Sequence, residues 1–248
     1  MEYICNFKKS LPDARDYMFT SNNLEMPNTL DYRNELQPIR DQGSQGTCYA
    51  QATACMKEWQ EKKDNGFDEY FSPQFFYNNR SNYYDDDKNN NEGMYGRDVM
   101  KLIKNIGICR ETNYPYGLIQ HKDAISPNIY QEAKEYVIKS YARVNTLEDL
   151  KNSLNENGPC LIAFPVYNYD SEFWKNNGSF KGGHAVTVIG YNVDGFIIRN
   201  SWGKRWGNNG YSLYSYDDWG AHWEIWTTVD IDNDLDYEPS NKKCCVIC

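Results

Sequence analysis

Apolar side chains recur with helical spacing in the stretch from residue 42 to residue 66. Four of them stand at positions i, i+3, i+4 and i+7, which share one helix face: Ala52, Cys55, Met56 and Trp59. Charged residues fall mainly off that face: Lys57, Glu58, Glu61 and Lys62. Gly43 and Gly46 precede the pattern and Gly66 follows it, so we expect a loop that feeds a helix. Cys48 lies where the loop becomes the helix.

Apolar runs rich in β-branched residues predict a hairpin in the second half of the chain. The first run covers residues 182–191 and the second covers 196–199. The Asp194-Gly195 pair between them is typical of a hairpin turn. Because the two strands run back along each other, His184 and Asn200 are expected near the same open end.

The remaining periodic segments predict an α+β chain with a helical first half and a mostly β second half. Ser72 followed by Pro73 is typical of a helix start with Ser72 as the N-cap. Three further helices and one buried strand are expected: 97–105, 127–140, 147–155 (capped by Thr146) and 158–166.

The thiol of Cys48 needs a nearby base or cation to act as a nucleophile at neutral pH. A free thiol titrates near about 8.5, so ionisation at neutral pH requires a pKa lower by about 2 units, or roughly 3 kcal/mol. The positive end of a helix dipole contributes only about 0.3 to 1 kcal/mol. A base or cation must therefore come from elsewhere, and the histidines are His121, His184 and His222. Without one, Cys48 would be an ordinary small buried residue.

His184 has a partner pattern, because the predicted hairpin places it near Asn200. Cysteine, histidine and asparagine that are distant in sequence and adjacent in space form a known arrangement for nucleophilic catalysis. The base stands beside the thiol, and the amide orients the base. His121 and His222 show no such pattern and are interpreted as ordinary surface or core residues.

Three motifs together carry a resemblance to a known family. They are Gln-Gly-x-x-Gly-x-Cys at 42–48, Gly-His-Ala-Val at 183–186, and Asn-Ser-Trp-Gly-x-x-Trp-Gly-x-x-Gly-Tyr at 200–211. Each motif alone would be weak evidence, and the combination is specific. The chain resembles the papain family of cysteine proteases over nearly everything from Pro27 to about Asp230.

The resemblance implies a role for each matching residue. Cys48 would be the nucleophile, and His184 would be its general base and later its general acid. Asn200 would orient the imidazole, and Trp202 would shield the His–Asn hydrogen bond from water. Gln42 would form the oxyanion hole together with the Cys48 backbone N–H.

The resemblance also implies a two-lobed fold, a helical lobe followed by a β-barrel-like lobe, with the active site in the cleft. Gly93, Gly183 and Trp202 would contact the substrate, although the family has a Gly-Gly pair where only Gly93 is present here. The implied reaction is hydrolysis of polypeptide substrates through a thioester acyl-enzyme, as an endopeptidase. The alternatives are a catalytically silent papain-like binding module and a related exopeptidase or acyl-transfer enzyme.

The chain divides into three predicted parts. Residues 1–26 form an N-terminal extension, 27–230 the peptidase domain, and 231–248 an acidic linker with a Cys-rich tail. Within the domain, 27–140 would be mainly helical and 141–230 mainly β. The extension is far shorter than the family's inhibitory propeptides. It is expected either to cover part of the cleft or to be a structural strap remote from it.

The composition of the chain limits the classes of binding partner and the cellular compartment that we expect. A net charge of −9 over 248 residues argues against nucleic acid as the main partner. No apolar run has the length of a spanning helix, and the N-terminus lacks the apolar core of a signal peptide. The protein is therefore expected to be cytoplasmic and monomeric. With no His-Glu-x-x-His motif and no phosphate-binding glycine loop, we expect no metal and no cofactor.

The cysteines agree with a reducing compartment. Secreted relatives usually carry a disulfide-bonded cysteine three residues before the catalytic one, and Gln45 occupies that position here. Four others are interpreted as buried thiols: Cys5, Cys55, Cys109 and Cys160.

The chain ends in Cys245-Val-Ile-Cys248, which fits the C-a-a-X prenylation pattern. Cys244 is available for a second acyl chain. This tail predicts attachment to a membrane surface through Cys244 and Cys245. The alternative is an incidental group of cysteines at the terminus with redox or metal-binding character.

Overall fold

The structure, a computed structural model, describes residues 3–22, 25–82 and 93–230. Within these ranges the helices are α1 (Cys48–Asn65), α2 (Pro73–Asn78), α3 (Gly96–Asn105), α4 (Pro127–Ala133) and α5 (Leu147–Asn157). The strands are β1 (Leu30–Asp31), β2 (Ile138–Arg143), β3 (Cys160–Val166), β4 (Gly182–Tyr191), β5 (Gly195–Arg199), β6 (Tyr211–Ser215) and β7 (Glu224–Asp230).

The strands form one antiparallel sheet that holds the second half of the chain together. Its order is β2-β7-β3-β4-β5-β6, and β1 pairs with β4 beside this path. The predicted hairpin is present as β4 and β5, with Thr187 opposite Arg199 and Tyr191 opposite Phe196. The central strand β3 is buried along its whole length, as the apolar run at 158–166 indicated, and β4 is buried from Gly183 onward.

Helix α1 confirms the predicted loop-to-helix stretch at both ends. It begins at Cys48 and ends before Gly66, whose φ of 69° is the left-handed conformation that glycine adopts without strain. The helix packs against β4, α2 and α3. Since it is covered on all sides, every residue from 48 to 61 is buried.

Three of the four charged residues off the apolar face of α1, Lys57, Glu58 and Glu61, are therefore buried in ion pairs. Lys57 Nζ lies 2.6 Å from Asp230 and from Glu61. Glu58 accepts from Arg40 at 2.7 Å. A periodic pattern locates one face of a helix, but neighbours from distant parts of the chain decide whether the other faces meet water.

Two predicted caps are confirmed, and one predicted helix is too long. The Ser72 side chain accepts from the Phe75 N–H, and the Thr146 side chain accepts from the Asp149 N–H. The helix expected at 127–140 ends at Ala133, and a short 3-10 turn follows. Residues 138–143 form β2 instead, because pairing with β7 outweighs local helical preference.

Residues 3–22, which we call the N-terminal strap, cross from one half of the molecule to the other. The Phe7 N–H donates to the Gly183 carbonyl at 2.9 Å. The next N–H, of Lys8, donates to the Met94 carbonyl at 2.9 Å. Further along, the strap pairs with the edge strand β2 through Arg143. The strap therefore runs through the cleft and is not remote from it.

Candidate active site

Cys48 is the first residue of α1 and is completely buried. The backbone N–H groups of Ala185 and Tyr49 face its sulfur, as does its own N–H. Ala185 directly follows His184 on β4, so the folded sheet brings the thiol and the imidazole into one site. The first N–H groups of a helix have no intrahelical partner, which leaves donors at this end of α1 available to a ligand.

The imidazole of His184 is oriented from one side. Its Nε2 lies 2.7 Å from Oδ1 of Asn200. Because an amide oxygen only accepts, Nε2 carries the proton, and the neutral ring presents Nδ1 as an acceptor. Among the described residues, Nδ1 is buried with no hydrogen-bond partner. The free lone pair is what a base needs to receive a thiol proton.

Trp202 covers the His184–Asn200 pair. Its indole stacks on the His184 ring with centroids 4.3 Å apart and planes inclined by 22°. Phe173 packs against His184 edge-on at 5.5 Å. These rings exclude water from the hydrogen bond and leave Trp202 with 1 % exposure. Tyr3 of the strap stacks on Trp202 with centroids 4.6 Å apart.

Gln42 is held by three groups. Its Oε1 accepts from the Ser201 hydroxyl at 2.7 Å, and its Nε2 donates to the Gln45 carbonyl at 2.9 Å. Its own carbonyl accepts from Tyr116 at 2.8 Å. An amide nitrogen has two hydrogens, so one N–H of Nε2 remains for an oxyanion.

The surroundings of Cys48 and His184 favour a neutral thiol and a neutral imidazole. Burial raises the pKa of the Cys48 thiol to about 11, although the surrounding N–H groups oppose that rise. Burial lowers the pKa of His184 to about 4, against the opposing effect of Asn200. Both shifts favour the uncharged forms, because the enclosed site offers no water to solvate either charge.

The strap is what encloses the site. The Asn6 carbonyl lies against Gly93, where a Cβ would be 1.6 Å from its oxygen, and the Phe7 carbonyl lies similarly close to Gly183. Both glycines that were predicted to contact substrate therefore contact the strap. Phe7, only 3 % exposed, packs into the same apolar cluster as Cys48 and Met94.

The strap presents the wrong part of its backbone to the nucleophile. The Phe7 N–H faces the Cys48 sulfur. In a planar trans peptide the carbonyl points opposite to the N–H, and the Asn6 carbonyl accordingly points to Gly93. Attack needs a carbonyl carbon beside the sulfur and its oxygen at the oxyanion donors. The peptide bond at the nucleophile is thus not placed for cleavage.

Sequence reasoning missed several residues of this site. Ser201 was part of a motif, but nothing in its spacing showed that its hydroxyl would hold Gln42. Nothing in the spacing of Tyr116 marked it as a site residue either, and its hydroxyl bonds both Gln42 and Thr47. Trp223 lies beside Gly183, and Trp206 packs edge-on against Trp202.

No group of three or more His, Cys, Asp or Glu side chains in the described ranges could hold a metal ion. No helix described is both long and apolar enough to cross a membrane. His222 is half-buried and bonds Tyr214, and His121 bonds Asp123 on the surface. The predicted lipidation site at Cys244 and Cys245 lies outside the described residues.

Comparisons with known proteins agree with this geometry. The model of the family described as papain family cysteine protease matches residues 26–230. The protein named Cysteine proteinase RD21A from Arabidopsis thaliana is 30% identical over 205 residues, covering 75% of this chain and 42% of that protein. Cysteine proteinase 3 from Entamoeba histolytica is 28% identical over 206 residues, covering 77% and 63%. The chain thus spans less than two thirds of the length of these two curated relatives.

The fold is shared with solved structures. The crystal structure of xylellain, a cysteine protease from Xylella fastidiosa, superposes with a TM-score of 0.77 at 25% identity. The match covers 92% of this chain and 96% of that one. The predicted α+β, papain-like fold is confirmed.

Proposed function

Because the chain belongs to the papain family of cysteine proteases, we propose that it hydrolyses internal peptide bonds of polypeptides through an acyl-enzyme on Cys48. The supporting observation is the 2.7 Å contact between His184 Nε2 and Asn200 Oδ1. That contact fixes the tautomer of the ring and leaves Nδ1 without a hydrogen-bond partner among the described residues.

The first half of the reaction transfers the acyl group to sulfur. With a polypeptide in place of the strap, Nδ1 of His184 takes the thiol proton, and the sulfur attacks the carbonyl carbon. The developing oxyanion receives hydrogen bonds from the free N–H of Gln42 and from the Cys48 backbone N–H. One such donor is worth about 10²- to 10³-fold in rate. His184 then gives its proton to the leaving amine, and the thioester remains.

The second half releases the acid. His184, again neutral, takes a proton from water, which attacks the thioester carbonyl. The same two N–H groups stabilise the second oxyanion, and the thiol of Cys48 leaves with the proton returned by His184. Asn200 holds the ring through both halves, and Trp202 keeps water from competing for that hydrogen bond.

The test uses Cys48→Ala and a matched control, Cys55→Ala. Both cysteines are buried on α1, and only Cys48 is at the helix N-terminus. With a denatured protein mixture as substrate, wild type and the control should cut at internal bonds, and Cys48→Ala should not. An epoxide inhibitor should label wild type at Cys48. Terminal trimming alone would favour an exopeptidase, and full activity in Cys48→Ala would remove the nucleophile assignment.

The resting enzyme is proposed to be closed by its own N-terminal strap. The strap fills the place of a substrate at Gly93 and Gly183 and offers no bond for attack. Activity then requires the strap to leave the cleft. A chain beginning near Pro27 should be labelled by the epoxide faster than the full chain, and equal rates would overturn the closed resting state.

The remaining proposals concern the compartment. Cys5, Cys48, Cys55, Cys109 and Cys160 are all free and buried. These free thiols support a location in the cytoplasm, where thiols stay reduced. The C-terminal tail is proposed to be prenylated at Cys245. Expression in eukaryotic cells with a labelled isoprenoid precursor should then give label in wild type and none in Cys245→Ser. Equal label in both, or none in either, would exclude prenylation.

A further inference from the structure

A second thiol enters the active site with the strap. Cys5 is 8 % exposed and packs in the apolar cluster that contains Trp202. Its carbonyl lies against Gly182, where a Cβ would be 1.8 Å from that oxygen, and its own Cβ is also near that position. His184 is two residues further along β4. The proposed chemistry has no use for Cys5.

Cys5 and Cys48 are close along the path of the strap. The amide that faces the Cys48 sulfur belongs to Phe7. An extended chain rises about 3.3 Å per residue, so Cys5 lies within about 7 Å of that amide. Burial, and after it the nearby Cys48 sulfur, raise the pKa of Cys5 to about 12. The Cys5 thiol is thus close enough to Cys48 for the charge of a Cys48 thiolate to reach it.

We propose that Cys5 is a resolving cysteine, which forms a reversible disulfide with oxidised Cys48 and locks the strap over the active site. The proposal rests on the proposed function, because it assumes that Cys48 is the reactive thiol. It adds a redox control that the arrangement of nucleophile, base and oxyanion donors does not require.

The chemistry needs a peroxide and a strap that moves. While the strap is away, the Cys48 thiolate attacks hydrogen peroxide, which leaves Cys48 as a sulfenic acid and releases hydroxide. As the strap re-enters, the Cys5 sulfur attacks the Cys48 sulfur. An S–S bond forms, the S–O bond breaks, and the hydroxyl leaves as water with the Cys5 proton. Two thiols are oxidised, and one peroxide is reduced to two waters.

Re-entry is the step at which the bond forms. A disulfide requires Cα atoms about 4.4 to 6.8 Å apart. In the proposed sequence of events, the bond forms before the strap has completed its contacts with Gly183 and Met94. A thiol such as dithiothreitol then reduces the bond and releases both cysteines. Without Cys5, the sulfenic acid of Cys48 would be oxidised further to the sulfinic acid, which thiols do not reverse.

The experiment treats the full chain with hydrogen peroxide and then with dithiothreitol, comparing wild type, Cys5→Ser and Cys55→Ser. Peptide mass spectrometry before reduction should find the peptide with Cys5 joined to the peptide with Cys48, in wild type and in Cys55→Ser. Each variant's recovered epoxide labelling is normalised to its own untreated sample. Wild type and Cys55→Ser should recover most of it, and Cys5→Ser about tenfold less.

Other results would overturn the proposal. These are a sulfinic acid on Cys48 with no linked peptide in wild type, a bond from Cys48 to Cys55, and equal recovery in Cys5→Ser and wild type. The linked peptide is detected without any peptide substrate. A chain that forms it and yet cleaves nothing would contradict the peptidase proposal while leaving the Cys5–Cys48 bond established.

Discussion

The backbone N–H of Phe7 faces the sulfur of Cys48. The same N–H donates to the Gly183 carbonyl at 2.9 Å, so the strap is fixed on the β side of the cleft as well as over the nucleophile. One short segment thus covers the thiol, excludes water from it, and presents to it an amide that it cannot cleave.

Phe7→Asp should open the cleft. The Phe7 side chain is 3 % exposed, and a carboxylate in its place would cost several kcal/mol without a partner. We expect epoxide labelling of Cys48 to become at least about tenfold faster. The matched control is Leu11→Asp in the same strap, where the side chain is 78 % exposed. Equal acceleration in the two variants would mean that Phe7 does not seat the strap.

The alkylation rate of Cys48 should depend on pH in a way that reports the strap. Burial raises the pKa of this thiol to about 11, so the reactive thiolate is scarce at neutral pH and increases as the pH rises towards that value. In Phe7→Asp, water reaches the sulfur and the pKa should fall. The half-maximal rate with iodoacetamide, measured on the Cys48 peptide, should move to lower pH. Cys55 provides an internal control with an unchanged profile.

Asp16→Asn should loosen the strap. Asp16 has 4 % side-chain exposure and bonds Arg97 at 2.6 Å and Arg143 at 2.8 Å. Its replacement leaves both cations short of a partner, at a cost of about 1 to 3 kcal/mol, so labelling of Cys48 should become roughly tenfold faster. Asp13→Asn is the control, because the partner of Asp13 is Arg15 within the strap. A slower or unchanged labelling rate in Asp16→Asn would contradict the idea that the ion pairs of Asp16 with Arg97 and Arg143, the Asp16 anchor, hold the strap in place.

Strongly acidic pH should weaken the ion pairs of the Asp16 anchor by protonating the Asp16 carboxylate. The bonds from Arg97, and then from Arg143, hold the pKa of Asp16 below its usual 3.8. A lowered carboxyl pKa means that the stabilisation is complete above that usual value and is lost as the pH falls through the lowered one. The ratio of labelling rates between Asp16→Asn and wild type should therefore shrink only at strongly acidic pH. A ratio that shrinks near neutrality would point to another titrating group.

Ser201→Ala should slow catalysis through Gln42. The Ser201 hydroxyl holds Oε1 of Gln42 at 2.7 Å, and its loss costs about 1 kcal/mol of positioning. In the opened Phe7→Asp background, we expect kcat to fall about fivefold with little change in KM, because the oxyanion donor acts mainly in the transition state. Ser212→Ala, whose exposed hydroxyl bonds the Ser171 carbonyl, is the control. A change in KM alone would contradict a role in the oxyanion hole.

The sequence by itself determined the elements that obey local rules. The start of α1 at Cys48, its end before Gly66, the hairpin around Asp194-Gly195 and the N-cap at Thr146 all follow from periodicity, turn chemistry and capping over a few residues. The hairpin also predicted that His184 and Asn200 would meet, because the register of two adjacent strands is fixed by the turn between them.

Only the tertiary structure decided the features that depend on partners far apart in the chain. Residues 138–143 are a strand because β7 lies beside them. Lys57 is buried because Asp230, 173 residues away, supplies its counter-charge. The strap has no period and few local preferences, so its own sequence could not fix its place. Gly183, Met94 and the anchor around Asp16 provide that place, through hydrogen bonds and ion pairs that form only once both halves of the molecule have folded.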